Sequence, residues 1–134
     1  MSNKIIQVTD GQGNNVHPVP PVDHILEQGT SGDWEYVKFN SGIFVCWLKA
    51  FYAFSRASIF ENHGAFHKSI YYPITFVGEP PCCLKSCDAA GAFIFGVWDA
   101  WGERLDGIDL YFQSNSTAAT INGRVNLLVI GHWR

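Results

Sequence analysis

From Ile25 onward, apolar and polar residues alternate with period two, and nowhere does an apolar i, i+3, i+4, i+7 pattern persist over three turns. Trp34, Tyr36 and Lys38 share one side of an extended segment, with Glu35, Val37 and Phe39 on the other. Ile43–Phe51 is nearly all apolar and reads as a strand covered on both faces. Alternation then continues through Phe51–Phe60, with Tyr52, Phe54, Arg56 and Ser58 opposite Ala53, Ser55, Ala57 and Ile59. Turn residues recur at Asn40-Ser41-Gly42, Glu61-Asn62-His63-Gly64 and Gly78-Glu79-Pro80-Pro81. Phe66–Val77 is extended, with Pro73 marking an edge or bend, and Cys82–Cys87 and Gly91–Trp98 form two further strands. Asp99–Gly107 is an acidic loop, residues 108–113 alternate, Ser114–Gly123 is a polar loop, and Arg124–Trp133 closes the chain as a strand. The expectation is a single all-β antiparallel sandwich or barrel of about seven to nine short strands over residues 25–134.

Residues 1–24 form a separate leader and attachment segment. Ile5, Ile6 and Val8 precede a Thr9–Asn15 turn cluster, and Pro18, Pro20 and Pro21 enforce an extended connector. Two short strands do not hold together alone, so the leader is expected to pack on the main domain or on a neighbouring chain.

Composition narrows the function classes. Hydrophobic residues are 47% of the 134 and charged residues 16%, against about 25% charged in ordinary soluble domains. That apolar content excludes a disordered chain. The longest uncharged apolar stretches, Phe39–Leu48 and Ala89–Trp98, reach about ten residues, short of the roughly 18 of a membrane-spanning helix. Net charge is −3 and no segment gathers Lys and Arg, so nucleic acid is not an expected partner. The N-terminus has no signal-peptide pattern, so Cys46, Cys82, Cys83 and Cys87 are expected as free thiols in a chain made in a reducing cytoplasm. So many rings on so small a body point to self-association, with strand residues Trp34, Tyr36, Trp47 and Trp133 packing in the core or between subunits.

Each candidate for chemistry has a plainer counterpart. His63 and His67 precede Cys82, Cys83 and Cys87, but adjacent cysteines on a strand face opposite ways and no Cys-x-x-Cys occurs. No metal or cofactor is assigned. Asp99, Glu103, Asp106 and Asp109 could supply a glycosidase pair or a calcium loop, yet Asp106–Asp109 fits no twelve-residue calcium pattern. Neither a Gly-x-Ser-x-Gly elbow nor a phosphate-binding Gly-x-x-x-x-Gly-Lys loop is present, so no catalytic residue is assigned and the chain is read as non-enzymatic. Trp98, Trp101 and Tyr111 border the acidic loop, and Trp98 and Trp101 with Asp99, Glu103 and Arg104 are the candidate contacts of a sugar-stacking platform.

The run Ile25-Leu26-Glu27-Gln28-Gly29-Thr30-Ser31-Gly32-Asp33-Trp34-Glu35-Tyr36, continuing to Ser41-Gly42 and Cys46-Trp47, resembles the C-terminal domains of tail fibre and minor tail proteins in phages and prophages of Gram-positive gut bacteria. The leader Val8–Val19 and the ending Ile130-Gly131-His132-Trp133-Arg134 are similar to the segments at the two ends of that pattern, whereas residues 48–123 match only in general character. The chain departs from it at Val37 and Phe39, where the family tends to have Arg and Trp, and at Phe44-Val45, which replace Ala-Glu. The resemblance implies a virion structural protein of the tail, homotrimeric, attached to other fibre proteins and recognising a bacterial surface polysaccharide without membrane insertion. The alternatives are a purely structural tail or decoration protein and, third, a small cell-wall glycan hydrolase.

Overall fold

The computed structural model describes residues 23–57, 64–89, 92–99 and 104–134. The hairpin expected in the leader, together with His63, Trp101 and Glu103, lies outside them. Eight antiparallel strands form one curled sheet: β1 (Ile25–Ser31), β2 (Trp34–Phe39), β3 (Ile43–Arg56), β4 (Ala65–Tyr71), β5 (Cys82–Ala89), β6 (Ile94–Asp99), β7 (Gly107–Ser114) and β8 (Thr120–His132). Pairing runs β1-β2-β3-β8-β5 on a front sheet and β4-β7-β6 on a back sheet. The two join at a corner where the far end of β3 leaves β2 and pairs with β4, Ser55 opposite His67 and Arg56 opposite Phe66. At the other seam, β5 meets β6 through a Lys85–Asp99 ion pair of 3.1 Å. All-β sandwich architecture is the outcome, as the alternation requires.

Alternation decides which side of each strand enters the core. Phe44, Cys46, Leu48 and Phe54 of β3 and Val125, Leu127 and Val129 of β8 face inward from the front. Phe66 and Ile70 of β4 and Ile108, Leu110 and Phe112 of β7 meet them from the back. Phe112 is the bridge between the layers, its ring 4.7 Å from Phe54 edge-on and 5.4 Å from Phe66 in a stack. Pro73 falls just beyond β4, as a residue without an amide donor should. The segment after it carries Phe76 into the core under Phe44, pinned by amide bonds from Phe76 to Leu105 and from Val77 to His132.

Two expectations change. Ile43–Phe51 is not covered on both faces: Phe44, Cys46 and Leu48 are buried, but Trp47 is 37% and Phe51 74% exposed. Among the described residues no second layer lies outside β3 to cover them. The alternation that continues past Phe51 belongs to the same strand, which runs 14 residues to Arg56. The polar loop from Ser114 is also shorter than its composition implies, because β8 already pairs at Thr120 opposite Ser55. A long continuous partner strand overrides the weak propensity of Thr, Asn and Gly. Val37 and Val45, two of the departures from the tail-protein pattern, stand opposite each other, so an apolar cross-strand pair occupies positions where that pattern has Arg and Glu.

Candidate functional site

The back sheet has polar and aromatic residues on its outer side. In β7, Ile108, Leu110, Phe112 and Ser114 are buried, which turns Asp109, Tyr111 and Gln113 outward. Register then brings His67 of β4 and Trp98 of β6 to either side of Tyr111. The His67 ring lies 4.6 Å from that of Tyr111, and the Trp98 ring stacks on it at 5.9 Å with only 12° between planes. Three half-buried rings thus cross three strands in one row.

Charge sits in the next row. Asp109 stands opposite Ser69, whose hydroxyl donates to its Oδ1 at 2.5 Å. Arg104, from the loop before β7, donates through Nη1 to the same oxygen at 3.0 Å and through Nε to Asp106 at 3.0 Å. His67 Nε2 is 3.6 Å from that Asp109 oxygen. The guanidinium also lies 5.0 Å from the Tyr71 ring centre, a cation–π contact. Gly107 permits this geometry, because a Cβ there would stand 2.7 Å from the carbonyl oxygen of Ile70 and push β7 off β4.

These contacts fix protonation. For Asp109, desolvation pulls the carboxyl upward, but the Ser69 hydrogen bond and the Arg104 and His67 charges outweigh it and leave the value below the ordinary one. The Arg104 hydrogen bond likewise holds Asp106 low, and Asp106 in turn raises Arg104. A glycosidase acid must instead hold a proton near neutral pH through a raised pKa. Asp106 and Asp109 are therefore suited to accept hydrogen bonds and to orient Arg104, not to donate a proton. Three of the thiols are equally unsuited to nucleophilic work: burial pushes Cys46 up to about 12 and Cys83 and Cys87 up to about 11.

Of the candidate residues, Trp98 and Arg104 come to the same outer face. Asp99 is placed opposite Leu110 and turns to the other side of β6, where it binds Lys85. His67, Ser69, Tyr71 and Tyr111 complete the face. His67, Ser69 and Tyr71 do alternate in β4, but only the register shows that they meet β7 at Asp109 and Tyr111.

No family model matches the sequence, and no curated protein matches it. Two solved structures share the fold. One is an N-truncated R1-type pyocin tail fibre, similar with a TM-score of 0.55 and 14% identity over 79% of this chain and 84% of that one. The other is a C-terminal portion of the P. aeruginosa R1 pyocin fibre, with the same TM-score, identity and share of this chain but 28% of its own length.

Proposed function

We propose that this chain is a non-enzymatic structural domain of a phage or prophage tail fibre, carried in the virion, homotrimeric, and binding a bacterial surface glycan through the outer face of its back sheet. Residues 25–134 form the adhesion domain in this reading, and residues 1–24 attach it to the neighbouring fibre protein. The shared fold with two pyocin fibre structures supports the tail assignment, and the motifs at both ends of the sequence support the narrower attribution to phages of Gram-positive gut bacteria.

The observation that carries the binding role is the row of His67, Tyr111 and Trp98 lying beside Arg104, Asp106, Asp109 and Ser69. A pyranose presents an apolar C–H face and an equatorial rim of hydroxyls. A row of partly exposed rings beside fixed donors and acceptors offers apolar contact and hydrogen bonding at once. Trp101 and Glu103, in the same Asp99–Gly107 stretch, are proposed as further contacts. Three such sites on one trimer would convert weak single-site affinity into avidity without any new contact.

Titration of the chain against purified surface polysaccharides of Gram-positive gut bacteria tests this. Trp98→Ala and Arg104→Gln should each weaken binding by about tenfold, the loss of one stacking or charge-assisted contact worth roughly 1.4 kcal/mol. Absence of binding across the panel, with host adsorption of the phage unchanged by Trp98→Ala, leaves the purely structural reading in its place.

A further inference from the structure

The front sheet turns a different surface outward. Across β2, β3, β8 and β5 the register lines up Val37, Val45, Ile130 and Cys82 in one row and Glu35, Trp47, Leu128 and Leu84 in the next. Glu35 alone interrupts these rows, and its carboxylate is taken by the Trp47 indole at 2.7 Å. Leu84 is 62% and Ile130 43% exposed. Farther along, Lys49, Asn126 and Ser86 form a polar row, followed by Phe51, Arg124 and Asp88. Within these rows Asn126 donates to Ser86 at 3.1 Å and Arg124 to Asp88 at 2.5 Å. Asn126 with Ser86 and Arg124 with Asp88 are thus paired in the plane of the sheet, while Arg124 Nε has no hydrogen-bond partner among the described residues.

Size and charge point to one occupant. Strands β3 and β8 run 14 and 13 residues. With β2 and β5 at 6 and 8 residues, about 3.4 Å per residue and 4.8 Å per strand give the four strands on the order of 670 Å². That falls within the roughly 600–1,000 Å² each partner gives to a stable interface of standard size, with the expected apolar centre and polar rim. The rim carries Lys49 and Arg124 against Glu35 and Asp88, mixed and balanced, so a second copy meets no block of like charge. A strongly basic or acidic partner would find nothing to complement.

We propose that the outward face of β2-β3-β8-β5 is the surface through which copies of this chain associate, with the front sheets turned toward the symmetry axis and Val45, Trp47, Leu84, Leu128 and Ile130 buried between subunits. The inference rests on the homotrimer reading and adds the face that performs it. It leaves the ring face of the back sheet outward, on the periphery of the assembly. Asp23, which accepts from the Ser41 amide at 3.0 Å, stands at the Asn40–Gly42 turn, next to the Val37 and Val45 end of the face.

Sedimentation equilibrium on the full chain tests it. The wild type should have three times the single-chain mass, and Leu128→Glu with Leu84→Lys should weaken association at least about 100-fold while keeping the β circular dichroism and a cooperative unfolding transition. Leu84→Lys alone, at an exposed edge position, gives the same direction in a chain with less risk to folding. Cys82 supplies a readout that needs no variant: its modification by a thiol reagent should be slow in the assembly and accelerate on dilution to single chains. Trp98→Ala, on the opposite face, should leave the mass unchanged. A wild type that stays single at high concentration overturns both this inference and the homotrimer reading. Folded variants that still assemble, with Cys82 equally protected, overturn the face alone.

Discussion

The two outer faces of this sandwich are made by the same rule and have opposite characters. Strand β7 at the centre of the back sheet alternates strictly, with Ile108, Leu110 and Phe112 inward and Asp109 and Tyr111 outward. Strand β3 at the centre of the front sheet is apolar on both sides through Phe51 except at Lys49, although only Phe44, Cys46, Leu48 and Phe54 reach the core. Where polar residues fill the alternate positions, a strand declares that its second face meets water or a polar ligand. Where they do not, it declares that something covers that face, and a single chain need not be what covers it. One domain therefore combines a face shaped for polar, ring-stacking contact with a face shaped for dry burial.

Both faces share one core, so the largest expected effect is common to them. Phe112→Ala removes the ring between Phe54 and Phe66, and should cost about 3–5 kcal/mol in urea unfolding while reducing glycan binding and assembly together. If one face kept its activity in that variant, the two sheets would be separable units and the contrast would dissolve. Gly107→Val should separate the faces. Its side chain would collide with the Ile70 carbonyl, cost roughly 1–3 kcal/mol and shift Arg104 and Asp109, so binding should fall while the assembled mass persists.

Acid gives the smallest and most local test. Asp109 and Asp106 are held below the ordinary carboxylate value of about 3.9, so each binds a proton less readily folded than unfolded. Their contribution to stability is complete above that value and disappears as pH falls through the folded values. Because these side chains are partly exposed, the effect is screened and small. Asp109→Asn should lower Tm relative to wild type at pH 7, and the difference should vanish in acid, once pH falls below the lowered folded value of Asp109. A difference that persisted in acid would mean that shape, not charge, holds the Arg104 row.

Much of this fold is legible in the residue order. Alternation placed the strands, Pro73 and the Gly-Glu-Pro-Pro run after Val77 placed breaks, and Cys82 and Cys83 do face opposite sides of β5. The candidate site was legible in part. Reading Asp99 as the first residue of a loop grouped it with Trp98, but the strand continues through it, and neighbours on a strand diverge. Thr120–Gly123 were read as loop because their composition favours turns, and a ladder with β3 draws them into β8.

By itself, then, the sequence determined the class of structure, the inward set of side chains and the presence of more apolar surface than one core absorbs. These are local properties, set by period two and by the conformational limits of Pro and Gly. Tertiary structure alone decided that His67, Tyr111 and Trp98 form one row, that Arg104 reaches Asp109, and that Trp47, Leu128 and Leu84 lie side by side. Those neighbours come from strands far apart in the chain, and register, which no local pattern encodes, is fixed only when the whole core closes.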